Sequence, residues 1–319
     1  MFSKIHIMKK NFFDIHDTGK FFLWVLALTQ ILMLIAEILL IMLAPIFNTT
    51  AEEALNIPFV YIALGMIAQL AFLMVLLLYN KKFNIKRFAK INLSLGWRNI
   101  ILCVIIGAVG VFSLSPLVDW FNVFLSSIGF NLSTIGFEIT SPLMLILGLV
   151  LLAFVPAVLE ELVFRGVILQ GLKKYGKWLA IFATSALFML IHGNLQQLIY
   201  PFVLSIVLGA VVFKTNSVVS AIVVHFTSNA LTLILSYLGF TLIVPVWASI
   251  LIAIAGILVM LGLASLTNNT EKPRKAEDIL KEIDHIQPTY NNNNHTLIIA
   301  TVLAVVLFVC NIAVAFMPA

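Results

Sequence analysis

Nine apolar runs, most of them about as long as a bilayer is thick, divide this sequence and leave few folds open to it. A helix needs roughly 20 consecutive apolar residues to cross a hydrocarbon core about 30 Å thick. Such runs occur at Phe21–Phe47, Pro58–Tyr79, Asn99–Val118, Pro142–Leu172, Trp178–His192, Leu198–Phe213, Ser217–Leu238, Leu242–Leu266 and Thr296–Phe316. The fourth is overlong, and the fifth and sixth are short. All are continuous rather than alternating, which excludes a membrane β-barrel. Composition agrees, because 62% of the 319 residues are apolar and only 10% are charged. Soluble domains run at about 45–50% and about 25%, so too little polar surface is present to cover a soluble globule of this size. A soluble enzyme, a disordered chain and a secreted disulfide scaffold are excluded. The expected fold is all-α, a polytopic transmembrane helix bundle of about eight or nine spans.

The net charge of +5 could suggest a nucleic-acid partner, but the basic residues sit in loops between apolar spans. No nucleic acid is expected; the lipid bilayer is the partner. Lys4, Lys9, Lys10 and Lys20 precede span 1. Lys81, Lys82, Lys86, Arg87, Lys90 and Arg98 join spans 2 and 3. Lys173, Lys174 and Lys177 follow span 4, Lys214 follows span 6, and Lys272, Arg274, Lys275 and Lys281 lie between spans 8 and 9. The opposite loops, around Glu52–Glu53, Asp119–Glu138, Asn194–Gln197 and Gly239–Thr241, contain no basic residue. Every Lys and Arg except Arg165 therefore falls on one side of a nine-span chain, which the positive-inside rule makes the cytoplasm. The N-terminus is expected inside and the C-terminus outside.

The first run is too long for the ~7–15-residue core of a signal peptide and lacks a small-x-small cleavage site, so it reads as a retained span. Cys103 and Cys310 lie within apolar runs and read as small buried hydrophobes. The polar stretch Asn269–His295, with Pro273, Pro288 and the tract Asn291–Asn294, reads as a cytoplasmic linker to the last span. Trp24, Trp178 and Trp247 suit an interfacial belt. The basic loop Lys81–Arg98 is an orientation determinant, with anionic lipid as a further partner.

Ionisable groups at membrane depth are costly, so each is a functional candidate. Span 4 contains Glu160-Glu161-Leu162-Val163-Phe164-Arg165-Gly166. Glu161 and Arg165 are four apart and can pair on one helix face. Glu160 points about 100° away and has no local partner. The bland alternative is a structural ion pair beside a boundary charge. His192 ends span 5, one turn after Phe188, and span 7 carries His225 and Asn229 four apart. Counting a rise of 1.5 Å per residue from the basic side puts Glu160, His192, His225 and Asn229 at similar heights, in the middle layer of the membrane. Glu37, in span 1, reads as packed against a polar neighbour or a water, or less simply as lining a substrate path.

A carboxylate and an imidazole can together activate a water. An imidazole and an amide N–H can stabilise an oxyanion. The same Glu/His/His set could instead hold a metal and its bound water. There is no His-Glu-x-x-His and no Gly-x-Ser-x-Gly. A transporter with a midplane cluster would show paired repeats in its two halves, and none is evident here.

The segment Glu160-Glu161-x-x-x-Arg165, then Phe188-x-x-x-His192, then His225-x-x-x-Asn229, resembles the three motifs of the CAAX-protease and bacteriocin-processing (CPBP, Abi-type) family of intramembrane glutamic endopeptidases. The likeness implies a catalytic core at 143–238, between N-terminal transmembrane helices at 1–142 and C-terminal ones at 239–319, with the polar linker at 267–295. It implies that Glu160 and His192 activate water and that His225 and Asn229 form the oxyanion site. Glu161, Arg165 and Phe188 would shape and charge the pocket, with no cofactor and no metal. The expected activity is cleavage of a membrane-embedded or membrane-associated peptide, linked in bacterial members to bacteriocin processing and self-immunity. A non-catalytic membrane immunity or binding protein is the alternative, and metal-dependent hydrolysis at the same residues is another. High Phe, Ile, Lys and Asn usage fits a low-GC bacterium, hence a multi-pass protein of the bacterial cell membrane.

Overall fold

Apolar runs of this length leave the backbone one way to satisfy its own N–H and C=O groups in lipid, the α-helix. The computed structural model describes residues 14–55, 57–82, 85, 89–132, 139–270 and 294–316. Among these, all regular structure is helical: α1 (Ile15–Leu43), α2 (Ala51–Leu55), α3 (Pro58–Lys82), α4 (Trp97–Ser127), α5 (Pro142–Tyr175), α6 (Lys177–Ile191), α7 (Ile199–Thr215), α8 (Val218–Tyr237), α9 (Val246–Leu266) and α10 (His295–Ala315). Eight of them are long and apolar enough to cross a membrane. The chain is a multi-pass membrane protein.

The fifth run is the exception to uniform spanning. With fifteen residues, α6 is about 22 Å long, and it stops at His192 because Gly193 takes a φ of +63°. Eight full spans and one short one agree with the expected eight or nine; the sixth run, expected short, is extended by the turn before it into a 21-residue span, Leu195–Thr215. Helix starts and stops also differ from the hydropathy limits. Asp14 caps α1 six residues before the apolar run, its Oδ1 accepting from the Asp17 N–H at 2.8 Å. α4 continues through Pro116 to Ser127, well past Val118.

α1 packs between α3 and α10, while α4 packs against α8 and α9. α5 runs through the middle, touching α3, α8 and α1. Ile and Leu residues such as Ile254 and Leu258 on α9 and Ile298 and Leu303 on α10 are exposed, as lipid-facing residues are. Exposed Trp97 and Trp178 at one end, and Trp247 at the other, bracket that apolar belt. At Gly107 the α4–α8 approach is backbone-close. A Cβ there would stand 2.7 Å from the Val224 carbonyl oxygen, and Ser228 Oγ donates to Gly107 O at 3.3 Å.

Polar side chains tie the loops together at one end of the bundle. Lys90 pairs with Asn216, Asn92 Nδ2 donates to Thr270 O at 2.8 Å, and Ser217 Oγ donates to Asn92 O at 3.0 Å. The helix directions put Lys20, Lys81, Arg98, Lys173, Lys177 and Lys214 at this same end. The linker expected beyond Thr270 lies outside the described residues, as do Lys4, Lys9, Lys10, Lys86 and Arg87.

α5 is not a regular helix. It widens into π-turns at Leu149–Phe154 and Leu162–Ile168, with α-helical Val155–Glu161 between them. Pro156 lacks an N–H, and its ring crowds the carbonyl four residues back; the widened turn before it absorbs both. The second π-turn contains Arg165, whose carbonyl accepts from Gln170 Nε2 at 3.2 Å. Such widened turns frequently mark functional sites.

Candidate active site

Glu160 and Glu161 end the short α-helical piece of α5, so their side chains diverge by about 100° around the axis. α8 packs over the seam between them and lowers His225 into it. His225 Nδ1 donates to Glu161 Oε1 at 2.8 Å, and its Nε2 lies 3.9 Å from Glu160 Oε2. One imidazole thus faces both carboxylates. Glu160 is not left without a partner, as its helix position alone suggested. On its other side Gln69 of α3 donates from Nε2 to Glu160 Oε1 at 2.7 Å. The local helix-face argument missed both contacts because each comes from another helix.

The expected Glu161–Arg165 pair forms. Arg165 Nη1 donates to Glu161 Oε1 at 2.9 Å, and both side chains are completely buried. The other arm of the guanidinium donates to Ser205 of α7, to Oγ at 2.6 Å and to the carbonyl at 3.3 Å. Its plane lies over the Phe188 ring, 4.8 Å from the centroid. A buried guanidinium needs this combination of carboxylate, acceptor oxygens and an aromatic face to offset its lost hydration.

Phe188 is the hub of the aromatic wall. It stands edge-on to Phe164 at 4.9 Å, His192 at 4.8 Å and His225 at 6.0 Å between ring centroids. Phe164 continues the wall to Phe22 and Phe72. His192 itself is anchored by Nδ1, 2.7 Å from the Phe188 carbonyl. A carbonyl only accepts, so Nδ1 carries the proton and the neutral ring presents its Nε2 lone pair. The same logic applies to His225, whose Nδ1–H points at a carboxylate. His192 lies within electrostatic reach of Glu160, His225 and Arg165.

The structure therefore brings Glu160, Glu161, Arg165, Phe188, His192 and His225 into one cluster. Asn229 stands one turn beyond His225 on α8, about 6 Å along the axis, and its side chain makes no hydrogen bond among the described residues. Two buried oxygens at the cluster, Glu161 Oε2 and Gln69 Oε1, also lack a hydrogen-bond partner. Unpaired buried oxygens are uncommon and fit a site that handles water and a polar reactant. Among the described residues no three His, Cys, Asp or Glu side chains are grouped to hold a metal ion. Sequence reasoning missed Gln69 and Ser205. The only signal for Gln69 was an amide inside the apolar run of α3; Ser205 gave none.

No curated protein and no solved structure matches the chain. A family model does match, over residues 140–231, and its description is type II CAAX prenyl endopeptidase Rce1-like. That stretch supplies every member of the cluster except Gln69. Over that stretch the chain is similar to the Rce1-like membrane proteases, the CAAX-protease side of the CPBP family.

Proposed function

We propose that the protein is an intramembrane glutamic endopeptidase that hydrolyses a peptide bond in a membrane-associated peptide. The observation that carries this reading is His225 placed between Glu160 and Glu161, with His192 beside them. Glu160 Oε2 and His225 Nε2 are 3.9 Å apart, too far to bond to each other, yet one water about 2.8 Å from each would touch both. Glu160 takes a proton from that water while its oxygen adds to the scissile carbonyl carbon. The carbonyl oxygen becomes an oxyanion, and the uncommitted amide of Asn229 donates to it. His225 Nε2, which touches the same water, takes that water's second proton as the intermediate forms and then donates to the intermediate's oxygen; the acyl product leaves as a carboxylate and His225 returns the proton to solvent. The tetrahedral intermediate collapses, the C–N bond breaks, and the amine nitrogen leaves with the proton first taken from water. His192 Nε2, a free acceptor, assists in moving that proton. Arg165 balances the charge of Glu161 throughout.

The family description supports a prenylated CAAX-type terminus as substrate. The segregation of basic residues to one end supports placing that end in the cytoplasm of a bacterial cell, with the N-terminus inside. The test uses full-length protein in liposomes with a dye-labelled farnesyl-CAAX peptide and an unprenylated transmembrane peptide, products being read by mass spectrometry. Wild type should cut at least one of them, and Glu160→Gln and His192→Ala should cut neither at normal abundance. Undiminished cleavage by Glu160→Gln overturns the mechanism.

A further inference from the structure

A second polar feature lies at the end of the bundle away from the basic loops. There a cavity of about 370 Å³ is framed by Glu37 of α1, Asn131 after α4, the turn Gly193–Gln196 and Asn311 of α10. Glu37 is an ionisable residue in an apolar span, flanked by exposed Leu34, Ile35, Ile38 and Leu39. Its carboxylate has no hydrogen-bond or ion-pair partner among the described residues, and no basic side chain lines the cavity. The sequence at this end holds Glu52, Glu53, Asp119 and Glu138 but no Lys or Arg. A carboxylate within an apolar span is costly without a cation, and the sequence at this end of the bundle offers no Lys or Arg.

We infer that the cavity binds a cationic side chain of the substrate peptide, an ammonium or guanidinium, with Glu37 as its counter-ion. This rests on the endopeptidase reading. The Asn311 amide oxygen in the same cavity, whose Nδ2 is spent on Gly193, is suited to a remaining N–H of such a cation, which is all donor and no acceptor. The cavity adjoins the proposed catalytic cluster through the chain itself, because the turn that lines it begins at the residue after His192. A cation held there therefore lies on the same side of the substrate path as His192. The wall is built rather than incidental. Asn311 Nδ2 donates to Gly193 O at 3.0 Å, and a Cβ on Gly193 would stand 2.8 Å from that nitrogen. This contact pins α10 to the turn. Glu37, Asn131 and Asn311 all lie outside residues 140–231, so the cavity is a selectivity element added to the Rce1-like segment.

The test measures binding, not cleavage, to full-length Glu160→Gln protein in phosphatidylcholine nanodiscs. The probes are dye-labelled, N-acetylated Leu/Ala transmembrane peptides with one Lys, Gln or Glu scanned over six positions. The Lys peptide should bind about tenfold more tightly than the Gln peptide at one or two positions, the worth of one charge-assisted hydrogen bond. Adding Glu37→Gln should erase that preference, and Glu37→Lys should invert it towards the Glu peptide. Ile312→Lys, which tethers a cation at the cavity wall, should erase it too and serves if the Glu37 variants fold poorly. Equal binding of Lys and Gln peptides at all positions overturns the inference, as does a preference that survives Glu37→Gln. A preference seen only with a free peptide N-terminus, or one abolished by phosphatidylethanolamine in the disc, assigns the cavity to another ammonium and overturns it as well. Cleavage by Glu160→Gln would sink the hydrolytic mechanism and leave the charge preference standing, so the two failures are distinct.

Discussion

Gln69 of α3 donates a 2.7 Å hydrogen bond to Oε1 of Glu160, reaching across 91 residues of sequence. With Oε1 held in this way, Oε2 is the oxygen turned towards His225. Glu160, the proposed general base, therefore has one oxygen committed to position and one left for water. Because Gln69 touches Glu160 and not the reacting atoms, it is a positioning residue. Gln69→Met keeps the length of the side chain and removes its donor. We expect kcat for peptide cleavage to fall about tenfold with KM changed less than twofold, the worth of one hydrogen bond to a charged group spent only on the chemical step. A raised KM with normal kcat would instead place Gln69 in substrate binding.

Arg165 makes a different prediction, because its bonds are structural. It is fully buried and holds Glu161, Ser205 and the Phe188 ring at once. Arg165→Ala leaves the Glu161 carboxylate buried without its counter-charge, a loss of about 3–5 kcal/mol. The variant should be poorly accumulated in membranes and melt at lower temperature in detergent. Arg165→Lys should recover only part of the loss, since a single ammonium cannot fork between Glu161 and Ser205 while lying flat on Phe188. Full stability of Arg165→Lys would mean that charge alone matters here.

The residues differ in how readable they were, and the reason is range. The Glu161–Arg165 pair is an i, i+4 contact on one helix, so spacing alone gave it. The spans followed from hydropathy for the same reason, α6 included, which was expected short and ends at Gly193. Glu160 has no partner on its own helix, as its spacing implied, and its neighbours come from α3 and α8. No periodicity encodes the rotation of α8 that sets His225 over the seam between two carboxylates. Gln69 belongs to a helix outside the family-matched segment. Its amide was visible as an oddity in an apolar run, but its target was not. Motif order pointed to α5, α6 and α8, and only packing showed which of their atoms meet.

Metal dependence offers an independent check on the proposed chemistry. Glu161 Oε1 is already taken by Arg165 and His225. A dication held by Glu160, His192 and His225 would lie within electrostatic reach of the buried Arg165 guanidinium, where like charges repel strongly in a low dielectric. Cleavage by the purified protein should therefore survive exhaustive treatment with a permeating chelator. Activity lost on chelation and restored by one equivalent of zinc would move Glu160, His192 and His225 into ligand roles.

Asn229 separates transition-state binding from structure. Its side chain is uncommitted, whereas His225, one turn earlier on α8, is tied to Glu161. Removing an uncommitted amide should cost the fold little, so Asn229→Ala should reach normal membrane abundance. If the amide donates to the developing oxyanion, turnover should fall by roughly 10²–10³ while substrate affinity holds, because that charge exists only in the transition state. Asn229→Asp is the sharper variant. It keeps the shape, replaces the N–H donor with an acceptor, and sets a negative charge against the oxyanion, so it should be at least as slow as Asn229→Ala. His225→Ala cannot serve the same purpose, since it also strips a hydrogen bond from buried Glu161 and mixes catalysis with stability. Steady-state kinetics on Asn229→Ala and Asn229→Asp, normalised to folded protein, decide the matter. An Asn229→Asp enzyme as fast as wild type would remove Asn229 from the oxyanion site and leave that task to His225 alone.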